Sequence, residues 1–125
     1  MFRFEKLDVW KKAIEFADRV YHVTRTFPPD ERYGLISQMR RASISISSNI
    51  AEGTGRSSDH DYARFLQIGY GSMMETVSQM FIARRQSFLS DSDFDDLYSR
   101  ADELARMLSG LRNSLVDSSP PKRPQ

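Results

Sequence analysis

The sequence predicts an all-α protein, an antiparallel up-down four-helix bundle. Two observations carry this. Apolar residues recur at helical spacing through four long segments, and helix-stop signals part those segments at three short breaks. Connections of only a few residues force neighbouring helices to run antiparallel.

The first helix is expected over about residues 8–26. Trp10, Ala13, Ile14, Ala17 and Tyr21 lie on one side of its apolar half, and Val9, Phe16, Val20 and Val23 on the other. Lys11, Glu15, Asp18, Arg19, His22 and Arg25 fill the opposite half. Pro28-Pro29 stops it, since the residue before a proline is pushed out of helical geometry.

The second helix is expected over about 31–52, capped by Asp30. Leu35, Met39, Ala42, Ile46 and Ile50 form its stripe. Ser43-Ile44-Ser45-Ile46-Ser47 alternates with a period of two, as a strand would. The helical stripe runs through it unbroken, so it is read as helix. Gly53-Thr54-Gly55 ends the segment.

The third helix follows Ser58, with Asp61 three residues on, and extends over about 59–88. Its main stripe is Tyr62, Phe65, Leu66, Met73, Val77, Met80 and Phe81. Ser90 with Asp93 opens the fourth helix, about 91–116. Its stripe is Phe94, Leu97, Tyr98, Ala101, Leu104, Ala105, Leu108, Leu111 and Leu115, and its acidic first turn suits the positive end of the helix dipole. Residues 1–116 thus form the bundle, and 117–125, with three prolines, are predicted to be a disordered tail.

Composition narrows the chemistry. The 125 residues carry 18 Lys plus Arg against 17 Asp plus Glu, a net charge of +1, which excludes a generally basic nucleic-acid binder while leaving local patches open. Cysteine is absent, so disulfides, thiol nucleophiles and cysteine zinc sites are excluded. The two histidines are expected at the surface, His22 paired with Asp18 and His60 solvated between Asp59 and Asp61. Neither follows a glutamate at the Glu-x-x-His spacing of a di-iron bundle. No metal, no cofactor, no small-molecule substrate and no enzymatic activity is expected. The N-terminus lacks the apolar core of a secretory signal, and no apolar run reaches the length of a membrane span. A cytoplasmic address without membrane association is the resulting expectation.

More apolar surface is present than one bundle needs. Tyr33, Ile44 and Ala51 make a second line on the second helix. Ile68, Gly71 and Ile82, with Glu75, make one on the third. The fourth helix has none and is placed outermost. Such lines point to a protein–protein surface, with self-association the simplest partner. Arg41, Ser45, Asn49 and Glu52 share a polar face of the second helix. Arg41 and Glu52 are too far apart along the axis to pair with each other, so each needs a partner elsewhere. Arg40-Arg41 and Arg84-Arg85 are candidate phosphate contacts, and the Glu52–Ser58 break resembles a phosphate loop only faintly.

Several strings carry a family resemblance. They are Phe4-x-x-Leu7-x-Val9-Trp10-x-x-Ala13, Phe27-Pro28-x-x-Glu31-x-Tyr33-Gly34-Leu35, Gln38-x-Arg40-Arg41-Ala42-x-x-Ser45-Ile46-x-Ser48-Asn49-Ile50-Ala51-Glu52-Gly53, and Phe65-Leu66-x-x-x-x-Gly71-Ser72-x-x-Glu75. Over about residues 4–115 the chain resembles the four-helix-bundle proteins of the 23S rRNA intervening-sequence type. These are related to the accessory variability protein of diversity-generating retroelements, which binds a reverse transcriptase and nucleic acid. The resemblance implies a barrel-like homopentamer without established enzymatic activity. The expected function is a self-assembling adaptor for a nucleoprotein partner. The alternative is direct RNA or DNA binding through arginines on the assembled ring.

Overall fold

The structure is a computed structural model that describes residues 1–117; the predicted tail otherwise lies outside the described residues. Four helices make the bundle: α1 (Asp8–Thr24), α2 (Ser37–Thr54), α3 (Asp59–Arg85) and α4 (Asp91–Asp117). Each packs on its neighbours in the chain, and α1 also lies beside α4, which closes the four corners.

Side-chain pairs fix the antiparallel sense. Between α1 and α4, Lys12 faces Glu103 at 3.8 Å and Arg19 meets Asp96 at 3.2 Å. Between α2 and α3, Ser45 meets Ser72, while Gly69 lies against Asn49 and Gly53 against Tyr62 and Phe65. In each pair the numbers rise on one helix as they fall on the other. The end of α1, the start of α2, the end of α3 and the start of α4 therefore share one end of the bundle.

The core is the predicted one in its centre. Phe16, Val20, Met39, Ile46, Ile50, Leu66, Met73, Met80, Leu97, Leu104 and Leu108 are fully or almost fully buried. The caps also form as expected. Ser58 accepts from the Asp61 amide at 3.1 Å, and Ser90 accepts from the Asp93 amide at 3.1 Å.

Three boundaries differ, each for a local reason. Helix α1 stops at Thr24, not residue 26, with the Thr24 hydroxyl folded back onto the Val20 and Tyr21 carbonyls. Helix α2 begins at Ser37, not residue 31. A 3₁₀ turn (Pro29–Glu31) and a π turn (Arg32–Ile36) precede it. Gly34 has φ −108° and ψ −112°, outside helical geometry. The cap is Glu31, whose carboxylate accepts from the Leu35 amide at 3.2 Å, rather than Asp30. A Cβ at residue 34 would stand 2.8 Å from that carboxylate, so a larger residue there would displace the cap. Helix α3 ends at Arg85, not residue 88. Ser87 takes φ 63°, and the Phe88 and Leu89 amides both return to the Ala83 carbonyl, a Schellman-type closure.

The stripe assignments on α3 and α4 need correction at their edges. Phe81 and Tyr98 are largely exposed and Val77 is half-buried, although all three fit the core period. Gly69, Thr76, Gln79 and Ala83 are buried in their stead. Small and polar residues can line a close helix–helix seam, which a count of apolar residues does not detect.

Candidate interaction surface

The outward face of the α2–α3 pair gathers most of the predicted site residues. The Asn49 amide donates to the Ser45 carbonyl at 2.8 Å and to the Ser45 hydroxyl at 3.0 Å. The Ser45 and Ser72 hydroxyls lie 2.9 Å apart. Glu75 accepts from Gln79 at 3.5 Å. At 100° per residue, Arg41, Ser45 and Glu52 form a polar strip along α2. The Ile44–Ala51 line flanks it on one side, and Ile68, Glu75 and Ile82 flank it across the seam. Ile44 is 42% exposed, Ile68 43% and Ile82 50%, while Ala51 is half-buried. Gly71 has open space where a Cβ would be.

Of the two residues on the polar face that needed a partner, Glu52 has one and Arg41 has none among the described residues. Glu52 pairs with Arg56 at 2.7 Å, one turn on in the break between α2 and α3. Arg56 also lies 4.3 Å from the centre of the Phe65 ring. The glycine-bearing break is thus tied down by its own side chains. Arg41 is exposed and makes no ion pair or hydrogen bond among the described residues.

The two double-arginine steps split in the same way. Arg40 donates to the Thr24 hydroxyl at 2.9 Å and to the Tyr21 carbonyl at 3.4 Å, with its guanidinium 4.5 Å from the Tyr21 ring. Arg84 sits 3.7 Å from the Phe94 ring centre and 5.3 Å from that of Phe81. One arginine of each step therefore packs the fold, and Arg41 and Arg85 are left exposed. The two steps share an end of the bundle but not a face, because Arg84 turns toward α4 while Arg40 turns toward α1.

Tyr33 stands apart from the α2–α3 face. It rides the π turn and is 86% exposed. Beside it, a groove of about 450 Å³ runs along the start of α2, with Tyr21, Arg32, Tyr33, Arg40, Arg41 and Ile44 among its walls. No carboxylate lines it. Tyr33, Ser37, Arg40, Arg41 and Ile44 follow one another at helical spacing along one face, and they meet in this groove. A second cleft, between α3 and α4, holds Tyr70, Met74, Val77 and Tyr98 with Asp102.

His22 and His60 are exposed, and the expected Asp18–His22 pair is not formed. Among the described residues, no group of three or more His, Asp or Glu side chains is arranged to hold a metal ion. Among them, too, no helix is long and apolar enough to cross a membrane. One titration is clearly displaced: burial raises the Tyr62 pKa above its usual 10.0, partly opposed by the nearby charge of Arg3.

The comparisons agree with this architecture. A crystal structure of a protein of unknown function from the S23 ribosomal protein family, from Bacteroides thetaiotaomicron, superposes with a TM-score of 0.75. It is 21% identical, and the match covers 83% of this chain and 97% of that one. At that identity the likeness is one of fold. A comparison with curated proteins gave no match. The model of the family described as 23S rRNA-intervening sequence protein matches residues 5–110, nearly the whole bundle, and the chain belongs to that family.

Proposed function

We propose that this chain is a non-enzymatic, self-assembling module that serves as an adaptor for a nucleoprotein partner. The observation that supports assembly is the outward face of α2 and α3. Three isoleucines there are 42–50% exposed on either side of a partly satisfied polar strip, with Gly71 leaving room for a close approach. Exposed apolar lines framing polar groups are what subunit contacts require. A closed homopentameric ring is the assembly that the family resemblance implies.

Light scattering coupled to size-exclusion chromatography tests this. A mass of several chains is expected for the wild type. Ile68→Asp should dissociate it while helical content holds, because a carboxylate buried without a partner costs several kcal/mol, about 3–5 in well-studied cases. A wild-type mass near 14.5 kDa would end the reading.

A second reading, direct nucleic-acid binding, is favoured by one observation: Arg41 and Arg85 are exposed and unpaired among the described residues. Repeated around a ring, even these few charges would bear on a polyanion. Binding through them must weaken with salt, and Arg85→Glu must reduce it.

A further inference from the structure

We propose that the groove at the entry to α2 is a binding site for single-stranded nucleic acid, in which a base stacks on Tyr33 and neighbouring phosphates lie against Arg32 and Arg41. This rests on the second reading above for its ligand class but moves the contact from Arg85 to the groove, so the two differ in what Arg85→Glu does; it does not depend on assembly.

Tyr33 is the starting point. At 86% exposure it is the most exposed tyrosine-sized apolar surface of the bundle, and it contributes nothing to the core. Its backbone is nevertheless well fixed. The Glu31 carboxylate holds the Leu35 amide across the turn, and Gly34 supplies the kink that turns this segment out of line with α2. An aromatic ring on a fixed turn, facing water, is a stacking platform. Base–aromatic stacking is sequence-tolerant, since every base has a π face.

Charge around the ring has the sign a phosphate chain needs. Arg32 lies 5.7 Å from the Tyr33 ring centre, and has no carboxylate partner. Arg41 lines the same groove without any partner. Arg40 is already anchored on Thr24 and Tyr21, so it keeps a fixed positive charge in the wall. The neighbouring acid, Glu31, has its carboxylate turned onto the Leu35 amide, and Asp30 lies in the preceding 3₁₀ turn, outside the lining. Ile44 gives an apolar edge against which a sugar or base can rest.

Size and global charge select the single strand. A volume of about 450 Å³ is within the roughly 300–1,000 Å³ of ligand sites, enough for a short stretch of unstacked chain. In a duplex the bases are stacked and their faces are out of reach of Tyr33. With a net charge of only +1, the molecule has no broad field to hold duplex DNA nonspecifically. An acidic peptide would satisfy the arginines but would leave the exposed ring unexplained.

Fluorescence anisotropy with the full chain tests the site. The probes are end-labelled oligouridylate and oligothymidylate, and a mixed-sequence duplex of the same length. Single strands should bind, and binding should weaken about tenfold between roughly 50 and 200 mM salt, as two to three phosphate contacts imply. Tyr33→Ala should weaken it about fivefold or more, whereas Tyr33→Phe should retain it. Arg41→Glu should weaken binding and flatten the salt dependence; Arg85→Glu should leave it unchanged. Duplex bound as tightly as single strands, or oligonucleotides bound equally by Tyr33→Ala, would overturn the proposal. Loss in Arg85→Glu but not in Tyr33→Ala would move binding to the ring arginines and equally overturn it. A polyglutamate peptide that competes in place of the oligonucleotides would assign the groove to an acidic protein segment. Tyr33→Ala lowering the mass in light scattering would assign it to a subunit contact. A monomer that binds single strands through Tyr33 upholds this site while ending the assembly reading, so the two fail separately.

Discussion

The hydroxyls of Ser45 on α2 and Ser72 on α3 meet at 2.9 Å. Asn49 donates to the Ser45 hydroxyl, so the three side chains form one hydrogen-bonded chain. The chain of donors crosses the seam where the two helices are packed through small residues, with Gly69 against Asn49 and Gly53 against Tyr62. Gly53 is the position where that approach leaves no room for a side chain, and the polar face of α2 is partly spent on holding α3.

Two glycines on that seam should respond oppositely to the same change. A Cβ at residue 69 would meet its neighbours at 3.5 Å, an ordinary contact. Gly69→Ala should therefore gain the helix propensity of alanine, up to about 1 kcal/mol. A Cβ at residue 53 would meet the Tyr62 ring at 2.9 Å and the Phe65 Cβ at 3.2 Å. Gly53→Ala should lose about 1–3 kcal/mol, since overpacking outweighs propensity. Urea unfolding of both variants checks the pair, and equal signs would refute the packing argument.

The fourth helix allows a test of which apolar positions carry stability. Leu104 and Leu108 are each 1% exposed, so truncation to alanine should cost about 2–5 kcal/mol. Tyr98 lies on the same predicted stripe but is 47% exposed, with its ring against Phe81 and Phe94. Tyr98→Ala should cost clearly less. A cost at Leu104 below about 0.5 kcal/mol would mean that the helix is rotated.

Arg84 and Arg85 are adjacent in sequence and unlike in role. Arg84→Ala removes a guanidinium from over Phe94 and should cost about 0.5–2 kcal/mol. Arg85 is exposed without a partner, and Arg85→Ala should fall within about 0.5 kcal/mol of wild type. A nucleic-acid experiment on the Arg84-Arg85 step should therefore change Arg85 and leave Arg84 in place. Thermal unfolding distinguishes the two variants.

What the sequence discloses depends on how far its signals reach. The bundle, its four helices and the caps at Ser58 and Ser90 are legible, because period and capping chemistry are local. The central core is legible for the same reason. The edges are not. Phe81 and Tyr98 satisfy the period of α3 and α4, yet a bundle helix buries only part of an apolar face, and which part depends on its neighbours. Thr76 and Gln79 are buried, and polar residues give no apolar signal. The kink at Gly34 is the largest miss for function. Glycine after Tyr33 hints at a break, but that the Glu31 carboxylate occupies the space of a missing Cβ is a three-dimensional fact. The groove residues share one face by helical spacing and were readable together; the 86% exposure of Tyr33 on the π turn was not.

The last prediction concerns alkaline stability. The Tyr62 side chain is 2% exposed, and its hydroxyl makes no hydrogen bond among the described residues. Burial disfavours the phenolate, and the Arg3 charge near the ring opposes this only in part. The folded state therefore holds this proton more tightly than the unfolded chain, whose group titrates near 10.0. Below that pH both states are protonated and the residue costs nothing in charge. As pH rises past it, the unfolded state releases the proton first, so stability is lost until the raised folded value is passed. Tyr62→Phe removes the ionisation and also a buried hydroxyl without a partner, whose desolvation costs about 1–3 kcal/mol. The variant should be as stable as wild type or more so at neutral pH, and its stability should fall less steeply above about pH 10. Urea midpoints measured at neutral pH and at about pH 10.5 decide it. Equal losses in both proteins across that interval would show that Tyr62 titrates as it does in the unfolded chain.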